Sequence, residues 1–386
     1  MADVVTVGLV GCGGIAGAHV KGLRKLWEAE RRSFRFIAAC DVEAARAEKR
    51  ADEIAEFQGN RPTVYTDLEA MLAAEKELQA VDICSVHSNH HSLAVPCLEA
   101  GKHVTIEKPL GITMRAARQI VEAAKKAGRV LQTAENYRRD PDNRAVRWAI
   151  AAGRIGKPRM IFWIEVSERL WHWAWRDDKA VAGGGWALDG GVHTADLFRF
   201  FLGPVTQVYA VSEAFHPFRY GKPDTMEDPI PATVEDTVVS VLRFDSGVIG
   251  QWTTTSAAPG EKFSHRAIYG DSGAITVWRS VKTRSSEVPW EQFVRDYRAS
   301  LSAEESERLF PGGVTDSIAT ELHEFFLAAL GGPPVETDGL EGYRAEAICF
   351  GIYESQALGR PVQMSEIESL AVEQYQRELN QALGIK

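Results

Sequence analysis

"VVTVGLVGCGGIAG", residues 4–17, decides the fold of the first third of the chain. VVTVGLV (4–10) is an apolar, β-branched run, the pattern of a parallel strand buried on both faces. Gly11-Cys12-Gly13-Gly14-Ile15-Ala16 follows at once as a GxGxxA turn, and a helical pattern continues through Trp27. A second strand, FRFIAAC (34–40), ends at Asp41, the distance at which an acid meets an adenine ribose. The glycines let backbone N–H groups and a helix N-terminus approach a pyrophosphate, while Asp41 accepts from ribose hydroxyls. Strand, turn, helix, strand and acid in this order predict a dinucleotide site built on Gly11, Gly13, Gly14, Ile15 and Asp41. NAD is expected over NADP, because Asp41 repels a 2′-phosphate and only Arg46, a turn further on, offers a cation.

Outward from that unit the alternation continues. Helical stretches at 43–56, 90–99 and 113–126 separate strands at 81–84, 103–106 and 129–134. Such a chain folds as a doubly wound parallel sheet, a Rossmann domain over residues 1–134, with ligands at the carboxyl ends of its strands. SVHSNHH (85–91) and EKP (107–109) sit at two of those ends. Ser85, His87, His90, Glu107 and Lys108 are therefore expected beside the cofactor. The histidines have no Cys or carboxylate at ligand spacing, so no metal site is expected.

After residue 135 the texture changes. A helix runs to Ala152, then strand patterns dominate at 158–166, 204–214, 233–245, 247–256 and 265–270. Asp245-Ser246-Gly247 is a tight-turn signal between two of them. Helical patterns at 315–330 and 339–358 close the chain. The expectation is an α+β domain over 135–386, on a mostly antiparallel sheet with one face bare of helices. A bare apolar face predicts a homodimer or homotetramer.

Within this half lies GGGWALDGGVHTADLFRFFLG (183–203). Asp189, His193 and Asp196 share one face if a helix starts near Gly190, with Asp189 as either its N-cap or a reactive carboxylate. Five of the ten tryptophans fall between Trp163 and Trp186, and LWHWAW spaces three indoles with period two. They either pack in a core or interface, or one or two of them present flat faces to sugars and aryl glycosides, Trp175 being the substrate-contact candidate. Tyr137 and Arg138, at the junction of the halves, are further candidates for substrate contact.

Bulk properties narrow the classes. A net charge of −9 over 386 residues, with no basic cluster, argues against nucleic acid. No apolar run approaches the roughly 20 residues of a membrane span. The N-terminus has no signal-peptide pattern, and five cysteines without a CxxC pair fit a cytoplasmic protein.

Four stretches together, the GxGxxA turn, AGKHVTIEKPL (100–110), the GGGxxxDxGxHxxD segment and GYRAEAICFGIYESQALGRPV (342–362), resemble the glucose–fructose oxidoreductase/inositol dehydrogenase/MocA family. The resemblance implies an oxidoreductase acting with NAD on a secondary hydroxyl of a sugar, glycoside or polyol, with Lys108, Asp189 and His193 as its catalytic group. It also implies substrate contact by Asp189 and His193. Where members carry TPNxxH, this chain has Ser85-Val86-His87-Ser88-Asn89-His90, so Val86 and His87 depart from the pattern. Two other functions share the fold: a glycosidase that borrows a hydride through bound NAD, and a non-catalytic sensor of NAD or sugar.

Overall fold

The computed structural model describes residues 4–385, which form two compact units. The first comprises residues 4–111, Ala116–Asp140 and Leu301–Tyr343; the second comprises Ile112–Arg115, Pro141–Ser300 and 344–385.

In the first unit, β1 (Val5–Val10), β2 (Phe34–Cys40), β3 (Thr63–Tyr65), β4 (Ala80–Ile83), β5 (His103–Glu107) and β6 (Leu131–Ala134) form a parallel sheet ordered β3-β2-β1-β4-β5-β6. That is the doubly wound Rossmann order, reversing between β1 and β4. Every residue of β1 is buried, as the unbroken apolar run requires of a central strand. The helix Gly14–Glu28 presents Ala16, Val20, Leu23 and Leu26 to this core.

The other wall of that core comes from far along the chain. Helix Ser317–Ala329, capped by Asp316 accepting from Ala319 N–H at 2.9 Å, inserts Ala319, Leu322, Phe325 and Phe326 against β1, β2 and the first helix. Phe326 lies 4.9 Å from Phe34, ring centre to ring centre. The two helices touch at Gly22, where a Cβ would come within 3.1 Å of the Ala319 nitrogen. Burial of each phenyl stabilises the unit by about 2–3 kcal/mol. By packing, the first unit runs on to Asp140 and takes in residues 301–343, whose apolar stripe completes its core.

The second unit holds β7 (Pro158–Val166), β8 (Val205–Glu213), β9 (Phe218–Lys222), β10 (Glu227–Pro231), β11 (Thr237–Phe244), β12 (Ile249–Thr255), β13 (Phe263–Gly270), β14 (Gly273–Thr276), β15 (Ser280–Thr283), β16 (Glu287–Pro289) and β17 (Val362–Gln363). Nine of them form one sheet, β16-β15-β14-β13-β7-β12-β11-β8-β17, antiparallel except where β7 meets β12; β9 and β10 make a separate hairpin. The 245–247 turn joins β11 to β12, with Gly247 at φ +84. The sheet's inner face packs on helix Gly191–Leu202, where Phe198 meets Trp163 and Trp252 edge-on at 5.6 Å each. The outer face is open. Register aligns Tyr209 and Val211 of β8 with Val241 and Val239 of β11, and all four are 44–48% exposed. Ile249 and Met160 pair on the same face and are also exposed.

Candidate functional site

In the first unit the GxGxxA turn is built by close approach. Gly11 has φ +81, and a Cβ there would fall 2.6 Å from the Cys84 carbonyl, so only glycine fits. Gly13 and Gly14 differ: a Cβ on either would meet nothing within 4 Å. Their open space lies at the N-terminus of helix Gly14–Glu28, where unpaired N–H groups favour a phosphate. Asp41 braces the turn, its Oδ2 accepting from Cys12 N–H at 2.7 Å and its Oδ1 from Glu43 N–H at 2.9 Å. Arg46 pairs with Glu43 at 2.8 Å, and Arg50 donates to the turn's own carbonyls, Cys12 O at 3.3 Å and Gly13 O at 2.8 Å. Ile15 is half-buried and packs on the core beneath the turn. The residues present therefore fit a dinucleotide.

The loops after β4 and β5 carry the other expected contacts. Ser85 and Lys108 are half-buried, and His87 is 3% exposed. His90 is wholly buried between Pro109 O at 2.7 Å and Ser85 O at 3.2 Å, and burial pushes its imidazole down to about 4. With one N–H the neutral ring donates to only one of these carbonyls, and it is wholly buried between the two loops. Glu107 also turns inward. Its Oε1 lies 3.1 Å from His19 Nε2, and its Oε2 accepts from Lys108 N–H at 3.2 Å. His19 Nδ1 lies 2.9 Å from Asp82, and Cys84 Sγ lies 3.4 Å from the same nitrogen. Although burial opposes charge, the Asp82 carboxylate holds His19 well above its ordinary range, so the ring is an imidazolium between two carboxylates. His19, Asp82 and Cys84 place their donor atoms within 4.8 Å of one another, close enough for an ion, yet hydrogen bonds among them already satisfy the group.

Tyr137 is 45% exposed, whereas Arg138 is buried and reaches Glu341 at 3.1 Å. That ion pair ties the 136–139 turn to the start of the 339–358 helix.

In the second unit three consecutive glycines are each closely packed. A Cβ on Gly183 would fall 2.8 Å from Ile112, on Gly184 2.3 Å from the Tyr353 hydroxyl, and on Gly185 2.2 Å from Glu235 O. Glu235 accepts from Gly185 N–H at 2.7 Å, from Ala187 N–H at 3.2 Å and from the Tyr353 hydroxyl at 3.0 Å. Burial pushes its carboxyl up to about 7, against the N–H and hydroxyl donors that favour the anion. Glu235 lies some 50 residues from the loop it organises, and nothing in the local sequence marks it.

Asp189 is not an N-cap. It ends the short helix Trp186–Asp189, and Gly190 joins this to helix Gly191–Leu202, which bears His193. The paired glycines permit the joint, since a Cβ on Gly190 would strike the Trp186 ring and one on Gly191 the Trp252 ring. Asp189 and His193 are 5% and 7% exposed. Arg176 Nε donates to Asp189 Oδ2 at 3.2 Å, a contact that sequence spacing did not reveal.

Asp189 also lies on the wall of a pocket of about 340 Å³ inside the second unit. Its aromatic lining is Trp171, Trp173 and Trp186; the expected Trp175 is not among them. Ala174, at φ +50, starts a 3-10 turn and ends the period-two alternation there.

Comparison with known proteins follows these two halves. The family model described as "Oxidoreductase family, NAD-binding Rossmann fold" matches residues 5–135, and "GFO/IDH/MocA C-terminal domain" matches 143–276. The 1,5-anhydro-D-fructose reductase of Ensifer adhaerens is 31% identical over 311 residues, covering 77% of this chain and 82% of that one. The chain belongs to the GFO/IDH/MocA family. This GFO/IDH/MocA oxidoreductase is also 28% identical to the myo-inositol 2-dehydrogenase of Thermotoga maritima, over 94% of its own length and 99% of the relative's. Its fold matches that of a levoglucosan dehydrogenase solved with NADH, at TM-score 0.76 and 23% identity over 94% of this chain and 99% of that one. The family assigns it NAD as cofactor and an oxidoreductase activity. Among the described residues no helix is long and apolar enough to cross a membrane.

Proposed function

We propose that this oxidoreductase oxidises a secondary hydroxyl of a sugar, glycoside or polyol. One observation carries the reading: the carboxylate of Asp189, fixed by Arg176, lies on the wall of an indole-lined pocket in a chain whose first unit is built for NAD. Relatives named for anhydrofructose, inositol and levoglucosan support the substrate class.

Bound NAD supplies the hydride acceptor. His193 takes the hydroxyl proton, as the side chain suited to proton exchange near neutral pH. Lys108 stabilises the developing alkoxide through its positive charge. Asp189 orients the substrate hydroxyls, its own position set by Arg176. Gly11, Gly13, Gly14 and Asp41 hold the dinucleotide, with Ser85 and His87 at its nicotinamide side and Tyr137 near the substrate. A screen of sugars, inositols and glycosides for NADH absorbance tests the reading; release of free sugar from a glycoside without net NADH overturns it.

The open sheet face supports a homo-oligomer, dimer or tetramer, because exposed Tyr209, Val211, Val239 and Val241 form one apolar patch. All five cysteines are free and buried, which supports a place in the reducing cytoplasm.

A further inference from the structure

The pocket beside Asp189 is larger and more aromatic than proton transfer at a ring hydroxyl requires. Its volume of about 340 Å³ falls in the range of small-molecule sites, roughly 300–1,000 Å³. Trp173 stacks on Trp186 with ring centres 5.9 Å apart and planes 27° apart, and Trp171 meets Trp173 edge-on at 5.4 Å. Trp171 and Trp186 nevertheless leave 46% and 41% of their surface exposed. Indoles clustered this way, and still open to the pocket they line, present flat apolar faces to an incoming group.

The charges around them are already matched. Arg169 forks onto Asp177 at 2.6 and 3.2 Å while its guanidinium lies 5.3 Å from the Trp171 ring. Arg176 lies 4.8 Å from the Trp173 ring and donates to Asp189. Glu165 pairs with Arg266. Each cation at the wall faces a carboxylate, so the lining carries no net charge that calls for an ionised ligand. That balance favours a neutral occupant. Thr254 and Ser256, also on the lining, add hydroxyls at the pocket edge.

We propose that this pocket is a subsite for the substituent of a neutral glycoside, so that the preferred substrates carry a flat group, an aryl ring or a second pyranose, on the reacting sugar. Free monosaccharides and inositols leave the indoles uncovered and are poorer substrates. The inference rests on the dehydrogenase reading above, and its consequence lies in substrate choice.

The test uses the full chain with NAD and a panel of free sugars, methyl glycosides, phenyl glycosides and disaccharides of glucose, galactose, mannose and xylose in both anomers, together with myo-inositol. For the best sugar, kcat/KM should be at least tenfold higher for the phenyl glycoside or the disaccharide than for the methyl glycoside. Whichever of the two is faster identifies the flat group as aryl or pyranose. Trp171→Ala and Trp186→Ala should each shrink that ratio to below threefold, mainly through KM, and Trp171→Phe should restore part of it. Tryptophan fluorescence, titrated with the same phenyl and methyl glycosides in the presence of NAD, reads the subsite without turnover. Quenching by phenyl but not methyl glycosides with no NADH formed would overturn the dehydrogenase reading and keep the subsite. Equal turnover of free sugars, methyl and phenyl glycosides, lowered alike by the tryptophan variants, would overturn the subsite and keep the dehydrogenase. Neither quenching nor turnover across the panel would overturn both.

Discussion

The Tyr353 hydroxyl donates to Glu235 Oε1 at 3.0 Å, and the same carboxylate accepts the N–H groups of Gly185 and Ala187. A side chain remote in sequence thereby holds the loop that leads into Asp189. Its carboxyl titrates at about 7 in the folded chain against 4.5 in an unfolded one. Below about pH 4.5 it is protonated in both states. Between 4.5 and about 7 the unfolded chain releases the proton and the folded chain keeps it, so this group's contribution to stability falls as pH rises and is flat above. Glu235→Gln removes that dependence. Denaturant unfolding of parent and variant at pH 5 and pH 8 should show the difference shifting in the variant's favour at the higher pH, by about 1–3 kcal/mol. A difference constant with pH would refute the assignment.

Two glycines of one turn should behave oppositely. Gly11→Ala places a methyl against the Cys84 carbonyl at a left-handed φ and should destabilise the fold by at least about 2 kcal/mol. Gly14→Ala adds a methyl to open space at a helix N-terminus, so the Tm should hold while NAD affinity falls at least tenfold. Thermal melts and NAD titrations of both variants separate the two outcomes; tight NAD binding by Gly14→Ala would mean that the dinucleotide lies elsewhere.

His193→Ala should lower turnover by roughly 100- to 10,000-fold, the usual contribution of a positioned base, with NAD affinity nearly unchanged. Lys108→Ala should also lose turnover. The double variant should be little worse than the poorer single one if, as proposed above, both side chains serve one proton transfer. Steady-state kinetics alongside NAD titration checks this, and near-full turnover in His193→Ala would make the histidine structural.

On the open sheet face, Val241 is 47% exposed and pairs across strands with Tyr209 and Gln251. Val241→Arg puts a charge in the middle of the apolar patch. Light scattering should then fall from a multiple of 42.6 kDa to that single-chain mass, with unchanged circular dichroism. A parent that is already monomeric would sink the interface.

The parts of this chain legible in sequence are those whose cause is local. The GxGxxA turn, Asp41, the central strands and the 245–247 turn each follow from residues within a few positions of one another. Strand β3 escaped because three residues at a sheet edge carry no period, and β10 because Pro229 and Pro231 argue against a strand. The period-two spacing of Trp171, Trp173 and Trp175 is broken by Ala174, and Trp186, thirteen residues beyond Trp173, stacks on Trp173 instead. Glu107 and His90 were identified by position, but only packing shows them turned inward, binding loops to one another. Arg176 meets Asp189 and Glu235 meets Gly185 through the fold alone, so no spacing rule could have found them.

The late return of residues 301–343 sets an order of events during synthesis. A ribosome extending this chain exposes the whole β1–β6 segment early, but Phe325 and Phe326 emerge only after every strand of the large sheet except β17 has been made. Until then the first helix and β2 have an apolar flank without its covering layer, a surface on which nascent chains aggregate or recruit chaperones. Truncation before residue 317 should therefore leave the nucleotide unit molten, although every residue of its glycine turn would be present.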